Sequence, residues 1–415
     1  MSDDASAQPG CRSRFRFGPG LLVTAAFIGP GTVVTASKAG AQFGCDLLWT
    51  ILFASFGTIV LQSLAARLGI LSGSGLGESI RESLSGSWLL RGAIALVVAA
   101  IGIGNAAYQT GNLTGAAAGA TSVLQGGAVS WLVVLIVLTS AVIWLGRYKL
   151  LHRILVAWVV LLSLSFLIAG LFSMPTWNEL VDGLLVPRVD GENLTLVIAL
   201  IGTTIVPYNL FLHASGAAVT WQGDDKRHAI AQSDLDTLFS VALGGLVTAA
   251  ILITASTAFH SAGKPWTSID QIAEQLRPAL GPAGGIAFAL GLFAAGLTSA
   301  VTAPLATAYA ISGALGWQAD PTRRRFRAIA LGVVLVGGIL AIGFGKSPAL
   351  TIQFAQVANG LLLPIVACFL LIAVVSRGRA MGEGLGRTRL VLAVIVVMGV
   401  AGLGVWRMTI AFVGV

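Results

Sequence analysis

Long apolar runs separated by short polar connections set the pattern of the chain. A helix crossing the hydrocarbon core of a bilayer needs roughly 20 apolar residues, and about eleven stretches of that length occur. They lie near 20–44, 48–70, 91–120, 129–146, 150–173, 193–221, 235–258, 283–315, 327–344, 349–375 and 389–412. Two of them break their own pattern. The first carries Ile28-Gly29-Pro30-Gly31-Thr32 and the sixth carries Ile205-Val206-Pro207-Tyr208-Asn209. Proline removes a backbone donor and its ring clashes with the preceding turn. Both stretches therefore predict a helix interrupted in mid-membrane.

The charges in the connections give a direction to these spans. With the N-terminus in the cytoplasm, the inner segments hold Arg12, Arg14, Arg16, Arg81, Arg91, Arg147, Lys149, Arg153, Lys226, Arg227, the run Arg323, Arg324, Arg325 and Arg327, and Arg377, Arg379, Arg387 and Arg389. The outer segments hold Arg188, Lys264, Arg277, Lys346 and Arg407. This asymmetry is the positive-inside rule, and one missed helix would scramble it. It predicts a multi-pass protein of the cell membrane with its C-terminus outside. The first span then runs outward and the sixth inward. Two broken helices at matching places in oppositely directed halves mark a 5+5 inverted repeat, as in transporters that bind their solute at mid-membrane between the unwound stretches. A broken helix there offers backbone carbonyls and amides that lipid could never satisfy, together with the partial charges of the half-helix ends.

Composition agrees and removes other classes. Of 415 residues, 56% are hydrophobic and 10% charged, against about a quarter charged in soluble domains. The expectation is an all-α polytopic membrane protein. Residues 1–18 form a cytoplasmic tail. Residues 19–375 form a transport core of helices 1–5 and 6–10. Residues 376–415 form a cytoplasmic loop and an eleventh helix. The polar, basic N-terminus has no signal-peptide pattern. Cys11, Cys45 and Cys368 are too scattered for a disulfide frame or a thiolate metal site. The net charge of +8 is loop arginine that sets orientation, not a nucleic-acid surface. No P-loop, nucleophile triad or CxxC pair occurs, so neither an enzyme nor a cofactor is expected. The solvated positions include His152, His228, His260 and the cluster Asp224-Asp225-Lys226. Oligomeric state is not legible.

Four strings carry a family resemblance: "IGPGTVVTASKAGAQFG", "LQSLAARLGILSG", "TTIVPYNLFLH" and "LGPAGGIAFALGLFAAGLTSAVTAPLA". They resemble the first, second, sixth and eighth helices of the Nramp metal-ion transporters, and the similarity runs from about position 18 to position 365. The resemblance implies the LeuT-type fold, alternating access and a metal site at the two breaks. It marks Gly29, Pro30, Gly31, Thr32, Val206, Pro207, Tyr208, Asn209, Gln356 and Asn359 as the solute site. The departures from the family pattern sit in that same place. Where the family has Asp-Pro-Gly-Asn, this chain has Gly29-Pro30-Gly31-Thr32; where the family has Met-Pro-His, it has Val206-Pro207-Tyr208. A carboxylate, an amide, a thioether and a histidine are thus absent. The two acids of the family's third helix, thought to pass protons, align with Gln109 and Asn112, while the family's second histidine persists as His213. Gln356 matches a family glutamine.

The residues alone lead to the same point. Every Asp and Glu falls at a helix end or in a loop of the segment map. Moving one unit charge into a dry interior costs on the order of 20 kcal/mol in the idealised limit, and transition metals normally take imidazole, thiolate or carboxylate ligands. A hydrated divalent ion of magnesium or manganese character needs fewer direct ligands. A wide polar cavity lined by Thr32, Tyr208, Asn209, Gln109, Asn112 and Gln356 would suit it. Such a cavity would equally suit a small polar organic solute or amino acid. A transport-inactive membrane receptor is the third reading. Lys38, two turns beyond the first break, is either a lysine snorkelling to the interface or a fixed charge beside the solute path that repels cations or pairs with a carboxylate. The solute class and the coupling ion stay open at this stage.

Overall fold

Residues 18, 28–146, 149–344, 347–382 and 384–413 are described by the computed structural model, apart from the side chains of 149–152, 407, 408 and 410–413. Helices account for nearly all of it. In chain order they are α1 (Pro30–Phe43), α2 (Leu48–Ser72), α3 (Leu76–Ser83), α4 (Leu90–Thr121), α5 (Ala128–Leu145), α6 (Lys149–Phe172) and α7 (Trp177–Leu185). They continue with α8 (Leu194–Thr204), α9 (Pro207–Thr220), α10 (Lys226–Ala255), α11 (Gly284–Leu315), α12 (Arg324–Phe344), α13 (Pro348–Ala380) and α14 (Arg387–Val413). A π-helical turn extends α10 to His260, and a 3-10 helix spans Ile269–Leu276 before α11.

Among the described residues ten stretches are long and apolar enough to cross a bilayer, with α8 and α9 forming one of them. They coincide with the second to eleventh predicted segments. The upstream half of the first predicted span, residues 19–27, lies outside the described residues, as does the tail 1–17. The spans pack through glycines that let backbones touch, as expected where lipid supplies no hydrophobic drive between helices. A methyl group on Gly119 of α4 would lie 2.5 Å from the Phe293 nitrogen of α11, and one on Gly360 of α13 would lie 2.6 Å from the Ile198 carbonyl of α8. At the rims, ion pairs join Glu82 of α3 to Arg377 of α13 (2.8 Å) and Asp234 of α10 to Arg389 of α14 (2.9 Å).

One sequence expectation fails here. The seventh span begins at Lys226 rather than near 235, because Asp225 caps it by accepting from the His228 amide at 3.0 Å. Asp236, expected at a helix end, is therefore inside α10 and fully buried. Its Oδ2 would lie 2.8 Å from a methyl group on Gly18, whose other neighbour is the Trp221 ring. Trp221 ends α9, about 21 Å from Pro207 at 1.5 Å per residue. This carboxylate thus belongs to the far end of α9 and not to the break.

Candidate functional site

The sixth span is interrupted between α8 and α9, and α1 starts at the predicted first break. Helix α8 stops at Thr204, Ile205 (φ −93°, ψ 78°) and Val206 (φ −83°, ψ 120°) leave helical geometry, and Pro207 restarts the helix as the first residue of α9. Pro207 has no N–H to give the Thr203 carbonyl, and the Thr204 carbonyl in the same turn accepts from the Thr58 hydroxyl at 3.4 Å. On the other side α1 starts at Pro30, and Gly29 before it is extended (φ −115°, ψ −174°).

The breaks meet side by side. The Thr32 and Thr203 hydroxyls share a hydrogen bond of 2.8 Å. Gly31 presses its Cα against the Gln356 side chain, where an added methyl group would sit 2.2 Å from Nε2. Gly29 faces Ser299 of α11 at 3.1 Å and the Tyr108 hydroxyl of α4 at 3.8 Å, both measured from an ideal Cβ. The Tyr108 and Tyr208 rings lie 5.5 Å apart, tilted by 59°. Thr32, Tyr208, Asn209, Gln356, Asn359, Gln109 and Asn112 are all at most 2% exposed. The wide polar cavity expected from the sequence is not open in this conformation: these residues are buried, and the Tyr108 and Tyr208 rings pack against each other beside them.

Buried polar atoms without hydrogen-bond partners gather at this meeting point. They are the Tyr108 and Tyr208 hydroxyls, both amide atoms of Asn209, Oε1 of Gln356, Nδ2 of Asn359 and Nε2 of His213. Each such atom costs about 1–3 kcal/mol when left dry, so a cluster of them marks a place where something polar is taken up. His213 lies one turn beyond Asn209, and its Nδ1 donates to the Gln62 oxygen at 2.6 Å. That bond fixes the proton on Nδ1 and leaves Nε2 as an acceptor.

Not every predicted residue joins this group. Gln109 donates from Nε2 to the Ala300 carbonyl at 3.0 Å, and Asn112 reaches the Gln109 oxygen at 3.5 Å. Gln109 thus ties α4 to α11, while the Asn112 bond stays within α4. Lys38 donates to the Gln353 oxygen of α13 at 2.7 Å. Its partner is therefore an amide, not the carboxylate one reading expected, and it bridges α1 to α13 one turn before Gln356. Three residues escaped the sequence reading: Tyr108, Thr203 and Ser299. Thr203 stood in the string quoted for the sixth helix, but nothing in the sequence singled out Tyr108 from its neighbour Gln109.

Among the described residues no three His, Cys, Asp or Glu side chains gather to hold a metal. The donors at the breaks are neutral: carbonyls, hydroxyls, amides and one imidazole. On the rim, burial pushes the Glu78 carboxyl of α3 up from its ordinary range; it stands beside Gly313 of α11.

Comparison with known proteins places this geometry. The chain is 34% identical over 400 residues to the divalent metal cation transporter MntH 1 of Pseudomonas aeruginosa, covering 91% of this chain and 87% of that protein. The solved manganese transporter of Eremococcus coleocola, in complex with an aromatic bis-isothiourea compound, superposes with a TM-score of 0.67 at 22% identity, covering 94% and 93% of the two chains. MhsT in complex with L-phenylalanine superposes with a TM-score of 0.59 at 16% identity, covering 95% and 100%. Both structures share the LeuT-type fold seen here. The family model of natural resistance-associated macrophage protein-like (Nramp) proteins matches residues 20–409, and the chain belongs to that family.

Proposed function

We propose that this protein is a secondary carrier that moves a divalent metal cation across the cell membrane by alternating access, with the ion keeping much of its water shell. The observation that carries this reading is the set of buried, unpartnered neutral oxygens where the breaks meet, with no carboxylate among them. Hard cations such as Mg²⁺ and Mn²⁺ take oxygen donors, and magnesium sheds water reluctantly. Carbonyl dipoles at the end of α8, the hydroxyls of Thr32 and Thr203, and the amides of Asn209 and Gln356 would contact the hydrated ion. Gly29, Pro30, Gly31, Val206, Pro207, Tyr208 and Asn359 shape its walls. The relatives named as divalent metal cation transporters support the cation over an organic solute. Proton coupling is weak in this reading, because Gln109 and Asn112 cannot titrate. The arginine asymmetry supports a cytoplasmic N-terminus and an external C-terminus, with 1–18 as tail, 19–375 as transport core and 376–415 as inner loop and last span.

Proteoliposomes holding a metal-quenched dye test the proposal. Added Mn²⁺ should quench the dye, with Mg²⁺ competing, and a chelator or Asn209→Leu should remove the signal. No metal-dependent quenching, together with thermal stabilisation of the purified protein by amino acids or amines but not by metals, would overturn it.

A further inference from the structure

A polar hollow lies away from the breaks, at the rim where α6 and α10 end. It has a volume of about 360 Å³, and its walls include Thr254, Thr257, Lys264, Glu274, Gln275 and Arg277. Two cations and one anion face a small space, for a net charge of +1. Among the described residues none of these three charged side chains is in an ion pair. Clefts lined mainly by one sign of charge concentrate ligands of the other. Gln275 is 1% exposed. Its side-chain amide lies within hydrogen-bond reach of the Thr254 hydroxyl at 3.2 Å and of the Ser37 hydroxyl of α1 at 3.3 Å. The wall thus holds a buried amide beside two cations outside any ion pair, and one acid that can accept.

We propose that this hollow binds a small organic carboxylate bearing an adjacent hydroxyl or ammonium group. Lys264 and Arg277 take the carboxylate, and Glu274 accepts from the neighbouring donor. Glu274 discriminates by the same means, since a plain anion lacking that donor meets only repulsion from it. Gln275 links the hollow to α1, the helix that begins at the first break. Occupancy therefore stiffens the 3-10 helix Ile269–Leu276 against α1. This site lies on the outer side in the orientation proposed above, and its binding requires no ion at the breaks.

Calorimetry on the full-length purified protein with L-malate, succinate and sulfate at constant ionic strength tests the assignment without any transport measurement. L-malate should bind at least tenfold more tightly than succinate or sulfate. Lys264→Gln and Arg277→Gln should each weaken it about tenfold, and Glu274→Gln should erase the preference for malate over succinate. These positions are exposed, so the variants should fold. Hydrogen exchange should slow in Ile269–Leu276 and in α1 when malate is added, and not in Lys264→Gln. Absent malate binding, equal binding of sulfate, or variants that bind as the parent does would each overturn the proposal.

Discussion

Returning a carboxylate to the first break tests the reading of the neutral site most directly. Gly29 is extended (φ −115°, ψ −174°), a conformation any L-residue adopts, so Gly29→Asp needs no backbone change. Its Cβ would lie 3.1 Å from the Ser299 hydroxyl and 3.8 Å from that of Tyr108. Ser299 must yield by a few tenths of an ångström, and the Tyr108 hydroxyl, which has no partner, becomes a donor to the new anion. A divalent ion about 4 Å from one carboxylate at an effective dielectric of 20 gains about 8 kcal/mol. Stripping water from the ion to bring it that close costs several kcal/mol in return. The remainder is on the order of 3 kcal/mol, or roughly a hundredfold in Kd. The apo variant should melt lower than the parent, because it buries an unneutralised charge, and should recover with Mn²⁺. Calorimetric and thermal-shift titrations with Mn²⁺ read both effects, and Gly29→Asn supplies the same shape without the charge. Equal Mn²⁺ affinity in the Asp and Asn variants would refute the claim that the missing anion limits binding.

Other consequences are open to single experiments. Gly202→Ala places a methyl group 2.1 Å from the Gln356 carbonyl oxygen and 2.6 Å from the Gly360 nitrogen, both backbone atoms that cannot swing away. It should cost about 1–3 kcal/mol or more, read as a lower melting temperature, whereas Gly332→Ala, with nothing within 4 Å, should not. Uptake into proteoliposomes should stay nearly flat as the outside is acidified, since Gln109 and Asn112 carry no proton; a steep rise would contradict that. At α7, Glu179 accepts from the Thr176 hydroxyl and backbone amide, which holds its carboxyl below the ordinary value. A depressed folded pKa stabilises above the unfolded pKa and is lost as pH falls through the folded one. Amide protection of Trp177–Leu185 should therefore drop below the ordinary carboxylate range, and Thr176→Ala should abolish that step.

How much of this was legible in the chain depended on the range of the interaction. The interrupted sixth span could be read because Pro207 acts on its own neighbours and its flanks are apolar. The spans could be read because length and hydropathy are local. The start of α10 could not, since it turns on whether Asp225 caps a helix or merely sits in water. The short helices α3 and α7 and the 3-10 helix Ile269–Leu276 were missed because none is long enough to register as a span. Within the site, one residue of helical rotation along α4, about 100°, separates Tyr108 at the break from Gln109, which bonds to α11. Family alignment marked the second and not the first. Lys38 and Gln353 are 315 positions apart, and no pattern in the sequence joins them.

Lys38 also limits what the site can do. It lies six residues beyond Thr32, about 9 Å along α1, with its ammonium held by an amide that leaves the charge intact. A divalent ion on the order of 9 Å from one positive charge is repelled by about 1 kcal/mol in water and about 4 kcal/mol at an effective dielectric of 20. With no anion among the described site residues to offset this, affinity falls by a factor between several and several hundred. The ion is best tolerated where water stays around it, because its own shell keeps the local dielectric high. On the proposed reading such a site does not hold a dehydrated transition metal at trace concentration. It suits an ion present near millimolar levels, for which a binding free energy of only about −4 kcal/mol suffices and a handful of neutral oxygens can supply it. Lys38→Gln should then tighten Mg²⁺ and Mn²⁺ by the same factor, and unequal tightening would mean that Lys38 acts on the coordination shell rather than through its charge.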